Sequence, residues 1–307
     1  MSVFTAILLK VVSTLMFAVM GALVRWLGET FPVGQVVFFR SIFAIVPVVI
    51  FYAWRRELWT AMHTARPLGH AVRGLVGVAS MFFFFAALAR LPIADVTAIG
   101  FSTPLIIVAL AALLLGERVR IYRWSAVILG LAGVLVMLSP HLSFGDLSAF
   151  SSTTTLGAFF AVMNAVLAAG AYIQIRRLTS SETTSSIVLY FSLISSLAGL
   201  ATLPLGWVWP TMSQFIGLCV MGFAGGIGQI FMTESYRYAP ASLTAPFDYV
   251  TIIWAVILGY LAFGEVPGRS VWAGAAIVVA AGMFVIWRER QLGLTRRLAA
   301  EGPPAGA

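Results

Sequence analysis

The chain has 307 residues, 61% hydrophobic and only 10% charged, with a net charge of +8. A soluble domain is about 45–50% apolar and about 25% charged, so a mean hydropathy of +0.99 excludes soluble enzymes and binding domains and leaves a polytopic membrane protein. A single cysteine, Cys219, excludes an intramolecular disulfide and a cysteine-based metal centre.

A spanning helix needs about 20 mainly apolar residues. The sequence predicts ten, over 3–24, 33–53, 70–89, 93–115, 121–139, 156–175, 187–207, 212–235, 241–262 and 270–287. Prolines 32, 92, 140, 210, 240 and 267 fall at or near their ends, where a missing backbone donor is tolerated. Continuous apolar runs such as "LIIVALAALLLG" lack the alternation of a transmembrane barrel.

The first run, "AILLKVVSTLMFAVMGALV", holds the only lysine, Lys10, about 12 Å from the helix start at 1.5 Å per residue. It has no basic segment before it and exceeds a signal core of about 7–15 residues, so a retained helix is expected. The second carries Arg40 in "FFRSIFAIV", the third Phe82 and Phe83 in "SMFFFFAALA". The fourth opens with Asp95, placed to face solvent and favour the helix N-terminus, continues through Phe101 and Pro104, and closes on Gly116-Glu117. An outer linker spans 141–155. The sixth contributes Asn164, Tyr172 and Gln174.

The eighth contains "MGFAGGIGQIF" with Gly225, Gly226 and Gly228. A dinucleotide site would need a preceding strand, so close helix packing is expected instead. Gln229 follows, and Glu234 stands three residues before Arg237, a spacing for a solvated pair. In the ninth, "SLTAPFDYVTIIW" brings Phe247, Asp248, Tyr249 and Trp254. Asp248 sits about 10 Å from the helix start, too deep for its short stem to regain the interface. The chain ends in a basic, then Gly/Pro-rich tail over 288–307.

Arginines give the orientation. With the N-terminus cytoplasmic, inner loops and tail hold thirteen, including Arg55, Arg118, Arg176, Arg237 and Arg288, against three outside, Arg25, Arg90 and Arg269. That bias places both termini inside, and explains the positive charge without a nucleic-acid partner.

A shift of 148 superposes "LPIADVTAIGFSTPLIIVALAALLLGERVRIYRW" on "APASLTAPFDYVTIIWAVILGYLAFGEVPGRSVW", matching Pro92 with Pro240, Glu117 with Glu265 and Trp124 with Trp272. A weaker match at a shift of 151 pairs Arg25 with Arg176. The chain therefore reads as two five-helix copies, 1–140 and 156–287, inverted because five is odd. Inverted repeats are a transporter architecture with the substrate site near the midplane between them.

These features, with Arg40, the "RLPIADVTAI" approach to the fourth helix, Pro104 in "FSTPLIIVALAALLLGE" and the closing Gly-Glu, resemble the EamA domain of the drug/metabolite transporter superfamily, in particular aromatic amino-acid exporters of the YddG type. The resemblance covers 3–287. It implies a central cavity lined by the first, third, fourth, sixth, eighth and ninth helices, and export of amino acids or similar small metabolites from a bacterial inner membrane.

An ionisable residue at membrane depth costs at least about 2.5–3.5 kcal/mol to insert and requires a partner or an aqueous cavity. Equal depths predict a Lys10–Asp248 pair across the repeats. Candidate cavity residues are Lys10, Phe82, Phe83, Phe101, Asn164 and Tyr172, with Gln229, Phe247, Asp248, Tyr249 and Trp254. Arg40, Pro104, Gly225, Gly226, Glu117 and Glu265 are structural or gating candidates.

No cofactor or metal is expected, since His63, His70 and His141 lie in loops or at helix ends. With no Walker sequence, ATP-driven pumping is excluded. The partners expected are a small-molecule substrate and the bilayer, for a monomer. Export of cationic drugs, and a channel, are the competing readings.

Overall fold

The computed structural model describes residues 3–56, 59, 63–103, 105–107, 110, 121–139, 153–178, 181–238 and 245–301. Among them the chain is a bundle of ten helices: α1 Val3–Leu27, α2 Val33–Trp54, α3 Pro67–Leu88, α4 Ile93–Gly100, α5 Ile121–Leu138, α6 Thr153–Leu178, α7 Thr184–Leu200, α8 Met212–Tyr238, α9 Thr251–Phe263 and α10 Arg269–Glu301. Six meet the length and hydropathy needed to cross a bilayer by themselves, namely α1, α2, α3, α6, α7 and α8.

The two fourth helices of the repeats are broken in the same register. After α4, the amide of Ser102 donates to Ile99 O at 3.0 Å, a tightened i→i−3 turn. Ahead of α9, Ala245–Val250 forms a 3₁₀ segment. A shift of 148 carries Ile99 and Ser102 onto Phe247 and Val250. The 3₁₀ segment ahead of α9 contains Pro246, which has no amide donor, while Pro104, outside the described residues, comes four residues after α4 in the sequence.

Helix pairing has the same symmetry. α1 packs along α8 and α6 along α3, each the other's counterpart when five is added to the helix number. The pairs α2 with α7, α5 with α10 and α4 with α9 map onto themselves. Each repeat buries its apolar faces against the other, so neither half has a core of its own, and one cluster includes residues from α1, α3, α4, α5, α6, α8, α9 and α10. The arrangement is that of two inverted repeats.

Glycines set the closest approaches. A Cβ on Gly226 would lie 2.8 Å from Ala44 O, and one on Gly222 would lie 3.0 Å from Phe39 O, so the four-residue glycine spacing seats α8 against α2. Gly274 and Gly133 do the same between α10 and α5. At one end of the bundle α1 also reaches α3, whereas their counterparts α6 and α8 barely touch at the other end among the described residues. The symmetry of the described helices fails there.

Candidate functional site

Between the repeats lies a cavity of about 280 Å³. Its wall includes Phe17 and Met20 of α1, Arg40 of α2, Arg73, Ser80, Phe84 and Phe85 of α3, and Thr97 of α4. The second repeat adds Asn164 and Tyr172 of α6, Phe191 of α7, Gln229 of α8 and Thr251 of α9. Most of the lining is apolar. Polar groups are few and grouped: Ser80 Oγ donates to Asn164 Oδ1 at 2.8 Å across the α3–α6 contact.

Two guanidinium groups enter this wall from opposite ends of the bundle. Arg40 stands about 10 Å along α2 from one end, and Arg73 about 9 Å along α3 from the other; they are 5% and 7% exposed. Both lie over the ring of Phe191, at 5.9 and 4.3 Å from its centroid. A cation–π contact is worth about 0.5–2 kcal/mol, which does not offset an insertion cost of at least about 2.5–3.5 kcal/mol per charge. No carboxylate among the described residues forms an ion pair with either, and Arg40 Nε with Arg73 Nε and Nη1 is buried without a hydrogen-bond partner. Glycines make the room. A Cβ on Gly77 would collide with Arg73 Nη1, and one on Gly225 would lie 3.1 Å from Arg40 Nε.

Of the residues expected in the cavity, Asn164, Tyr172 and Gln229 line it. Lys10, Phe82, Phe83, Phe101, Phe247, Asp248, Tyr249 and Trp254 do not, and most of these make interhelical contacts instead. Lys10 Nζ meets Asp248 Oδ1 at 2.6 Å, joining α1 to the 3₁₀ segment ahead of α9. Trp254 Nε1 donates to Thr14 Oγ1 at 3.2 Å in the same interface. Phe101 packs edge-on against Tyr249, 5.1 Å between centroids. Phe83 packs on Phe160 and Phe82 on the core, leaving Phe84 and Phe85 to the cavity.

Arg73 had no role in the sequence reading, which began the third helix at residue 70. The helix starts at Pro67, so Arg73 is nearly two turns inside it, and its i, i+4 spacing to Gly77 was the available signal. Two further expectations are corrected. Asp95 does not face solvent but is 7% exposed inside α4. Glu234 is not solvated either: its side chain is 8% exposed and takes a 2.9 Å bond from Arg55 Nη1 of α2, since α8 packs along α2 at that depth.

At the end where α1 finishes, Arg25 Nε donates to Glu265 Oε1 at 3.2 Å and Arg25 Nη1 to Leu88 O at 3.0 Å. Glu265 Oε2 accepts the Ile93 amide at 2.9 Å. One carboxylate from the α9–α10 loop thus ties α1 to the N-terminus of α4, whose N-cap Pro92 makes no side-chain cap. Glu117, the sequence counterpart of Glu265, lies outside the described residues, as does Pro104.

At the opposite end Glu182, in the α6–α7 loop, accepts from Thr64 Oγ1 at 3.0 Å and from the Ala65 and Arg66 amides at 2.9 Å each. His70 Nε2 is 3.4 Å away. Desolvation pushes this carboxyl up, but the nearby His70 ring and the hydrogen bonds from Thr64 and the two amides outweigh it and hold the group below its ordinary 4.5. A depressed carboxyl stabilises the fold above its unfolded value, and that stability is lost as pH falls through the folded value. Glu182→Gln should therefore lower the thermal midpoint at pH 7 and converge with the parent as pH drops below 4.5, measured by melting in detergent across pH.

The sequence matches the EamA-like transporter family twice, over residues 4–139 and 155–287. The chain belongs to that family. Among its relatives, the pseudopaline exporter of Pseudomonas aeruginosa is 30% identical over 282 residues, spanning 90% of this chain and 94% of that one. The S-adenosylmethionine uptake transporter of Rickettsia prowazekii is 26% identical over 87% of each chain. The riboflavin transporter of Rhizobium johnstonii is 27% identical over 91% of this chain and 90% of its own. A solved crystal structure superposes with a TM-score of 0.64 over 95% of this chain and 99% of its own at 21% identity, a likeness of fold. The protein is thus a multi-pass membrane transporter of small molecules.

Proposed function

We propose that this transporter is an alternating-access carrier of the bacterial inner membrane that exports amino acids, aromatic and other apolar ones first, or similar small metabolites. The supporting observation is the cavity walled by both inverted repeats, the arrangement in which one repeat rocks against the other around a central site. Access is unequal at its two ends. The Arg25–Glu265–Ile93 network and the α1–α3 contact tie one end, whereas among the described residues α6 and α8 barely touch at the other. With both termini cytoplasmic, as the arginine distribution favours, the end with the looser α6–α8 pair faces the cytoplasm, the loading side of an exporter.

Counterflow in proteoliposomes tests this reading. Saturable exchange of a labelled amino acid against unlabelled substrate is expected, whereas ohmic current without saturation would identify a channel. A panel of amino acids, cationic drugs and other metabolites, run with and without a pH gradient, separates the substrate classes and reveals any proton coupling.

A further inference from the structure

Within that carrier reading, we propose that Arg40 and Arg73 form the binding site for the carboxylate of a net-anionic metabolite, so that the cavity accepts organic acids and rejects cations. The two guanidinium groups are the only charges on the described cavity wall. They come from different helices of the first repeat and converge on Phe191 of the second. Both are more than nine-tenths buried, with nitrogens left unpartnered. Gly77 and Gly225 leave each guanidinium a recess that any side chain would fill.

A guanidinium presents donors in a planar fork that matches two carboxylate oxygens. Two such forks, in a pocket with no paired acid, lack an acceptor that an incoming carboxylate supplies. The substrate's body is then left to Phe17, Phe84, Phe85 and Met20, an apolar surface suited to a ring or a branched chain. An ammonium finds no carboxylate on the described wall, only neutral oxygens such as those of Asn164, Gln229 and the Ser80, Thr97, Tyr172 and Thr251 hydroxyls. Acids whose negative charge exceeds their positive charge are therefore preferred over zwitterions, and zwitterions over cations. Phosphate is a second oxyanion chemistry, but its strongly hydrated double charge suits this apolar wall less well.

The purified full chain in nanodiscs, and the same protein in proteoliposomes, can be challenged with probes that share one ring. N-acetylphenylalanine and phenylsuccinate should raise the thermal midpoint and compete in counterflow, phenylalanine should do so more weakly, and phenethylammonium not at all. Arg40→Gln or Arg73→Gln should weaken N-acetylphenylalanine by about tenfold or more, as expected for losing a charged hydrogen bond. Arg→Lys at either position should recover part of the loss and, by monodispersity in detergent, separates misfolding from loss of binding.

The proposal is overturned if phenethylammonium binds as well as the acids, if phenyl phosphate binds more tightly than the carboxylates, if no carboxylate stabilises the protein, or if well-folded Gln variants bind unchanged. Counterflow of some solute without carboxylate preference would sink this site and leave the carrier. Carboxylate binding without any counterflow would do the reverse.

Discussion

Asp248→Asn should destabilise this transporter far more than Lys10→Met, although the two substitutions break the same 2.6 Å contact. Lys10 is 1% exposed, while the Asp248 side chain is 46% exposed. Removing the aspartate takes the carboxylate away from a buried ammonium, and breaking a buried pair in this way costs up to about 3–5 kcal/mol. The half-open position of Asp248 puts the expected loss toward the lower end. Removing the lysine instead leaves a carboxylate whose side chain is half exposed and replaces the ammonium with an apolar stem of similar length. The cost of removing one partner lies in the charge left behind, so Lys10→Met, which leaves the half-exposed carboxylate rather than the buried ammonium, should lose clearly less than Asp248→Asn. The double variant Lys10→Met/Asp248→Asn should regain most of what Asp248→Asn alone loses. Thermal melts of the four proteins in one detergent complete the cycle, and equal losses for the two single variants would refute this account.

Glu265→Gln should raise access to the cavity from the Arg25 end by about tenfold or more. The carboxylate makes two bonds there, one to Arg25 and one to the Ile93 amide, both in partly buried surroundings. A hydrogen bond to a charged group contributes about 1.5–3 kcal/mol, and about 1.4 kcal/mol shifts a two-state population tenfold. These bonds link α1, α4 and the α9–α10 loop, elements of both repeats, so parting those elements to open that end breaks them. Their loss therefore biases the equilibrium toward the opposite state. The measurement is the labelling rate of a Thr97→Cys reporter on the cavity wall by an impermeant thiol reagent, in a background where Cys219, the sole native thiol, is serine. Labelling unchanged by Glu265→Gln would mean that the network does not hold the end closed.

The two tests concern residues whose legibility in the sequence differed. Lys10 and Asp248 stood out because each is an ion at membrane depth, and helical rise set both at the same depth. Arg25 and Glu265 appeared as a topology charge and a repeat anchor. Nothing along the chain said that positions 240 residues apart would meet. Arg73 escaped notice because a boundary drawn three residues late turned a buried cation into one near a helix end. The phenylalanine run shows the same limit from the other side: four adjacent rings cannot all face one way, but only the helix's rotation against α6 decides that Phe84 and Phe85 face the cavity while Phe83 packs on Phe160.

The sequence alone determined the all-helical membrane class, the ten segments, their inverted repetition and the family, because hydrocarbon demands about 20 apolar residues per crossing and an odd repeat reverses direction. Tertiary structure decided which ions meet and which stay unpaired. It directed Lys10 to Asp248, Glu234 to Arg55 and Glu265 to Arg25, and left Arg40 and Arg73 facing the cavity without an acid among the described residues. Depth along a helix follows from counting residues, but the direction in which a side chain points depends on the rotation and tilt of each helix against its neighbours. Those are set by contacts such as Gly222 and Gly226 against α2, between residues far apart in the chain.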